Sequence, residues 1–474
     1  MRILYVTSEA GPYAASGGLG DVLAALPSAV SSECDEIKTD CIMPLYNTIN
    51  EQYREKMKHI ADISFRLSWR NTGASVYCIE TQKTNYYFIE NHNYFDRNRL
   101  YGEYDDAERF AFFSMAVIEF INLTDYSADI IHANDWQSAM SIVYLKTKYS
   151  SVDKLKDIKT VYTIHNIEYQ GKYDPYILGD IFGLDNRYRD ILVYDGCLNL
   201  MKAAMILADK VTTVSPNYAC ELRHDFFAFG LSDIVSQISY KMTGIINGID
   251  YGYFSPDKGG DIDFKYTPRT VRAGKAKNKK AITEELGLDT SLDIPLIVMI
   301  TRLASQKGID LVLHIADEML SERINFVILG TGDPLYEDSF RLLELNHNNF
   351  KSLIKFDRKL SKRLYAAADM FLMPSKSEPC GLAQMIACAY GTIPIVRSVG
   401  GLCDTIIPYG NDYANGFRFD NYNAHELLFT VKHAINVFND ENEWHALRKR
   451  AISSDFSWQR SAMNYIKLYK DLLN

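Results

Sequence analysis

Short, uninterrupted apolar runs return along the whole chain, each followed by a longer segment with helical spacing. Ile3–Val6, Ile130–Ala133, Val161–Ile164, Lys210–Val214, Leu296–Met299, Phe326–Leu329, Met370–Met373 and Ile393–Val396 are such runs. Apolar runs of four or five residues, without polar alternation, are the mark of strands buried on both faces, which occur in parallel sheets covered by helices. The rhythm therefore predicts α/β architecture built from βαβ units.

The runs fall into two series. The first extends from Met1 to about Thr243 and closes on a strand expected at Gly244–Ile246. Asn247-Gly248-Ile249-Asp250 follows, then a stretch rich in Gly, Asp, Lys and Pro from Ser255 to Arg269 that is expected to be a linker. The second series runs from about Lys275 to Asp455. The reading is three segments: an N-terminal Rossmann-like domain over 1–246, a C-terminal one over 247–455, and a helix over 456–474. In that last segment Trp458, Ala462, Tyr465, Ile466, Tyr469, Leu472 and Leu473 share one face. A chain of 474 residues that is 47% hydrophobic has the apolar content for two such cores.

Charge and cysteine content narrow the class of function. With 51 Lys and Arg against 60 Asp and Glu, the net charge is −9. That disfavours nucleic acid, whose phosphates select cationic surfaces, and it disfavours anionic membranes. None of the eight cysteines forms a Cys-x-x-Cys pair, so zinc-ribbon and iron–sulfur sites are disfavoured and reduced core thiols of a cytoplasmic enzyme are expected. The opening apolar run is too short for a secretory signal, and no run of about twenty apolar residues is present.

Doubly wound sheets bind ligands beyond the carboxyl ends of their strands, and five groups of residues sit there. Ser16-Gly17-Gly18-Leu19-Gly20-Asp21 follows the first strand. Paired glycines before a helix let backbone N–H groups approach a phosphate, although the string does not match the dinucleotide pattern G-x-G-x-x-G. Its bland alternative is a simple glycine turn. Arg302 and Lys307 follow a strand of the second series and suit a diphosphate, or are solvated surface cations. Glu378, in Ser375–Gly381, could accept sugar hydroxyls or cap a helix. His165 ends the run Tyr162–Ile164 and could carry a proton or be structural. Asp135-Trp136 could bind a sugar through a carboxylate and a ring face, or be a helix-start aspartate beside a core tryptophan. Tyr86-Tyr87 and Tyr94-Phe95 are candidates for stacking on acceptor sugars.

With these motifs in order, and with Leu100-Tyr101-Gly102, Thr301–Gly308, Pro374–Gly381 and Gly400–Thr405, the whole chain resembles the bacterial-type glycogen and starch synthases. These are retaining glucosyltransferases of the GT-B kind, with two Rossmann-like domains facing across a cleft and a C-terminal helix crossing back to the N-terminal domain. The resemblance implies transfer of glucose from ADP-glucose to the non-reducing end of an α-1,4-glucan, with no metal or cofactor. By position, Arg302 and Lys307 are implied to clamp the diphosphate opposite the backbone around Gly17 and Gly18. Glu378 is implied to hold the donor glucose, with Cys380, Gly381 and Leu382 close by, and His165 to lie near the reacting centre. Asp21, Asp135, Asn247 and Gly332 are implied to line the donor site, and Phe356 to stack on the adenine in place of the family's usual tyrosine. Ala15 stands where a lysine is usual and Ala383 where a threonine is frequent. A glucan-binding scaffold without turnover, and a related transferase using UDP-glucose or another acceptor, are the competing readings.

Overall fold

The computed structural model describes residues 1–474. The chain divides into two compact units: unit 1 is Met1–Gly248 with Trp458–Asn474, and unit 2 is Ile249–Ser457.

Unit 1 is built on a nine-stranded sheet. Its strands are β1 (Arg2–Val6), β2 (Lys38–Pro44), β3 (Lys58–Leu67), β4 (Arg70–Ile79), β5 (Thr84–Glu90), β6 (Ile130–Asn134) and β7 (Lys159–Ile164), then β11 (Lys210–Thr213) and β12 (Met242–Gly244). A separate three-stranded sheet holds β8 (Lys172–Tyr173), β9 (Val193–Tyr194) and β10 (Cys197–Asn199). The large sheet runs β12-β11-β7-β6-β1-β2-β5-β4-β3. Every pairing is parallel except β3 with β4 and β4 with β5. The β3–β4 ribbon shows why the apolar runs missed it: one face alternates into the core while the other meets solvent. The last strand lies at Met242–Gly244, two residues ahead of the expected Gly244–Ile246.

Unit 2 has six parallel strands: β13 (Leu296–Ile300), β14 (Asn325–Leu329), β15 (Phe350–Leu353), β16 (Met370–Met373), β17 (Ile393–Arg397) and β18 (Phe417–Phe419). Their order, β15-β14-β13-β16-β17-β18, is the 3-2-1-4-5-6 order of a Rossmann domain. The stretch expected as a linker is packed into this unit. Tyr266 is buried, and Gly259 O accepts a hydrogen bond from Lys362 Nζ at 2.9 Å.

The strand orders fix where ligands belong. In a doubly wound sheet a crevice opens where chain progression reverses direction. In unit 1 the reversal lies between β1 and β6, which are paired at Ile3 with Ile130. In unit 2 it lies between β13 and β16, paired at Ile297 with Met370.

The tail helix Trp458–Leu473 packs within unit 1 against the helix Gly18–Glu33. A buried polar chain fastens it to the sheet. Tyr469 OH lies 2.9 Å from Tyr5 OH on β1 and 2.7 Å from His132 Nδ1 on β6, and His132 Nε2 is 2.6 Å from Thr163 Oγ1 on β7. Burial keeps His132 neutral, with its pKa depressed to about 3.

Candidate active site

In unit 2 the loops after β13 and β16 carry the expected residues, so both flank the reversal point. Arg302 follows β13 and is exposed, and its guanidinium makes no ion pair or hydrogen bond. Lys307 stands in the turn Ser305–Lys307, with Nζ 2.6 Å from Glu378 Oε2. Ser375 Oγ donates to the same oxygen at 3.1 Å. Glu378 is buried, so its charge is held by these two partners. A partly open cavity of about 120 Å³ adjoins the pair, lined by Met299, Thr301, Lys307, Ser375, Glu378 and Ala383.

The backbone under Glu378 is braced from two directions. Gly401 N–H donates to both Glu378 O and Pro379 O at 3.1 Å. Gly400 has φ +45°, and a Cβ there would stand 2.0 Å from Glu378 O, so only glycine fits. From below, Gln384 Nε2 donates to Cys380 O at 3.1 Å and to Gly381 O at 3.0 Å. Gly381 turns the chain with φ +70°. Cys380 is buried, and Leu382 is half-buried at the cavity wall. Gly332 bridges to Leu303 and donates its N–H to Glu337 Oε1 at 2.9 Å. Phe356 is 80% exposed, with the Arg358 guanidinium 5.8 Å from its ring centroid, so its face is open to a flat partner.

In unit 1 the reversal point brings together the loops after β1 and β6. Glu9, which composition and spacing did not single out, is the anchor of the glycine corner. Its buried carboxylate accepts the N–H of Ser16, the hydroxyl of Ser16 at 2.8 Å and the N–H of Gly17 at 3.3 Å. Burial raises the Glu9 pKa. The Gly17 amide is therefore committed to an internal anion, while the space over Gly17 and Gly18 is open. Ser16 Oγ also meets Tyr101 OH at 2.7 Å. The position of Glu9 gave its signal: it is the first acid after an apolar strand, beyond Thr7 and Ser8.

Asp135 opens the helix Asp135–Lys146 with φ +55°, a left-handed conformation that aspartate tolerates at some cost. Its Oδ1 accepts the His165 N–H at 2.8 Å, which ties the ends of β6 and β7 together. Burial lifts the Asp135 pKa to about 7, against the lowering effect of the His165 and Asn166 N–H groups. His165 Nε2 lies 3.0 Å from Asn134 Oδ1, and burial depresses its pKa to about 3, so the ring is neutral. Asn247 is buried, with Oδ1 unpartnered. Asp21 is exposed in the first turn of its helix.

Two aromatic expectations fail. Trp136 is a core residue, edge-on to Phe110 at 5.2 Å and covered by Gly171, so it offers no face beside Asp135. Tyr86, Tyr87 and Phe95 are buried as well, and Tyr94 stacks into that cluster on Phe112 at 4.5 Å. An apolar strand end needs its rings for the core.

Comparison with known proteins agrees with this geometry. The family described as "Starch synthase catalytic domain" matches residues 2–237, and "Glycosyl transferases group 1" matches residues 285–453. The chain is 43% identical to a glycogen synthase of Clostridioides difficile (strain 630), with all of both chains covered. It is 44% identical to one of Clostridium botulinum (strain Eklund 17B / Type B), covering 100% of this chain and 99% of the relative. The catalytic domain of starch synthase IV from Arabidopsis thaliana, solved with ADP and acarbose, superposes with a TM-score of 0.89 at 32% identity, with 99% of each chain covered. Sucrose-phosphate synthase from Thermosynechococcus elongatus shares the fold, with a TM-score of 0.63 at 18% identity.

Proposed function

The chain belongs to the glycogen and starch synthase family of GT-B glycosyltransferases, and from that premise we propose that it transfers glucose from ADP-glucose to the non-reducing end of an α-1,4-glucan with retention of configuration. The observation that carries the reading is the Lys307–Glu378 pair at the β13/β16 reversal, with the unpaired Arg302 on the adjoining loop. A cation pair and a sugar-gripping carboxylate are the minimum a nucleotide-sugar transferase needs at one crevice.

On this reading Arg302 and Lys307 take the diphosphate and stabilise the charge that grows on it as the glycosidic bond to phosphate breaks. Lys307 then exchanges part of its contact with Glu378 for phosphate. Glu378, released from a single partner, holds the glucose hydroxyls, and the brace from Gly400, Gly401 and Gln384 keeps it in place. Phe356 stacks on the base. In unit 1 the one N–H of the neutral His165 is on Nε2, facing Asn134 Oδ1, so its free Nδ1 accepts a hydrogen bond from a sugar hydroxyl, and Asp135 fixes the His165 backbone. Attack comes from the face that the phosphate leaves, and the departing phosphate accepts the acceptor's hydroxyl proton. In unit 2, Gly332, Cys380, Gly381 and Leu382 complete the donor's surroundings; Asp21 and Asn247 are the donor-side candidates of unit 1.

Labelled ADP-glucose with glycogen tests the reading. Incorporation of label supports it. Incorporation from UDP-glucose alone would overturn the donor assignment, and none from either donor would leave the scaffold reading.

A further inference from the structure

The loop that leaves β7 at His165 carries an exposed tyrosine, Tyr169, which is 56% exposed. Its next residue, Gln170, is buried and fully engaged. Gln170 Nε2 donates to Ile167 O at 3.0 Å and to Phe229 O at 3.1 Å, while Oε1 accepts Asn199 Nδ2 at 2.7 Å. One buried amide thus locks the backbone of Phe229 to the loop that bears His165 and Tyr169.

Phe229 is itself unusual. It follows the turn Asp225–Ala228 with φ +48° and ψ +41°, the left-handed region that a bulky side chain rarely enters. Even so its ring is 46% exposed, and neighbouring Phe226 is 66% exposed. An aromatic held in a costly backbone conformation, with half of its ring in water, gains little for the core. Such outliers persist where surrounding structure over-determines them, and they gather at functional sites.

We propose that Tyr169 and Phe229 form an aromatic landing surface for the acceptor glucan beside His165. The inference rests on the reading of the chain as a glucan glucosyltransferase. An α-glucan shows apolar C–H faces between hydroxyl-lined edges, and aromatic faces pair with the former. Glu168, exposed and fixed by the bond from its N–H to Asn166 Oδ1 at 3.0 Å, offers a carboxylate to the hydroxyl edge. The chain's own acceptor is the occupant this chemistry selects, because the surface continues the loop that bears His165.

The test uses the full-length enzyme, ADP-glucose as donor and maltoheptaose as acceptor. Tyr169→Ala and Phe229→Ala should each raise the maltoheptaose KM by about 3- to 10-fold, the range for losing one stacked aromatic. The donor KM and kcat should stay within about twofold. Phe229→Gly separates function from folding, since glycine accepts the left-handed backbone. It should raise the maltoheptaose KM as Phe229→Ala does while leaving the melting temperature equal to or above that of Phe229→Ala. Tyr240→Ala, at an exposed ring ahead of β12, should change neither constant. An unchanged maltoheptaose KM in both Tyr169→Ala and Phe229→Gly overturns the proposal, as does an equal rise in Tyr240→Ala. Failure of the wild-type enzyme to transfer glucose to any glucan would instead refute the function on which the inference rests.

Discussion

Replacing Asp135 with asparagine should make unit 1 more stable at alkaline pH while removing activity. The carboxylate is raised to about 7 in the folded protein from an ordinary 3.8. Because folding raises this pKa, the folded state holds a proton that the unfolded chain has already released. The favourable contribution is fully present below pH 3.8 and is lost as pH rises through about 7. Relative to a group with an unshifted pKa, Asp135 costs the fold about 4 kcal/mol at pH 8, where it is ionised, and about 2 kcal/mol at pH 5, where it must take up a proton, by the linkage relation. Asparagine mimics the protonated form at every pH. It keeps one acceptor for the His165 N–H and loses the other, a penalty that does not vary with pH. Urea unfolding of unit 1 in wild type and Asp135→Asn, at pH 5 and at pH 8, measures the difference. The variant should gain about 2 to 3 kcal/mol relative to wild type between the two conditions. A stability difference that is flat across this interval would show that Asp135 is ionised throughout, and the burial argument would be wrong. Glucose transfer should fall in the same variant at both pH values.

Four further outcomes are expected. Lys307→Met should lower kcat by orders of magnitude with glucan KM nearly unchanged, because it withdraws charge from the leaving phosphate and strands the buried Glu378; retained turnover would remove that role. Gly400→Ala should reduce activity sharply in a folded protein, since its Cβ would meet Glu378 O at 2.0 Å; full activity would show that the turn is not rigid. Tyr469→Phe should cost unit 1 about 1–3 kcal/mol, as His132 Nδ1 and Tyr5 OH lose a buried partner, and a denaturation midpoint equal to wild type would contradict the polar chain. Acidification should destabilise unit 1 as pH falls from 6.5 towards about 3, because His132 and His165 stay neutral in the fold and charge in the unfolded chain; His132→Gln should flatten part of that slope.

The parallel strands were legible because burial on both faces leaves an unbroken apolar signature. Those with one wet face, such as β3 and β4, were not, and neither was β2, whose buried Asp40 is met by Arg2 Nε at 2.7 Å, Tyr126 OH at 2.8 Å and Asn85 Nδ2 at 3.0 Å. The stretch Ser255–Arg269 read as a linker from its Gly, Pro and charge content, yet Tyr266 buries itself and its hydroxyl donates to Tyr390 O at 2.8 Å, a contact 124 residues away. Among the candidate site residues, Arg302, Lys307, Glu378, Asp135 and His165 were legible as strand-end residues because they follow apolar runs. Glu9 and Gln384 were not, since their work is to hold backbone groups of the turns they adjoin. Such bonds are set by the exact path of the turn, which residue type and spacing do not specify.

The fastening of Tyr5 to Tyr469 joins residues 464 positions apart. During synthesis the first strand therefore leaves the ribosome long before its partner is made. Until then unit 1 has an uncovered groove along the helix Gly18–Glu33 and a thirsty pair of polar groups at Tyr5 and His132. A nascent or truncated chain that stops ahead of Trp458 leaves these groups uncovered and is a natural client for chaperones and proteases.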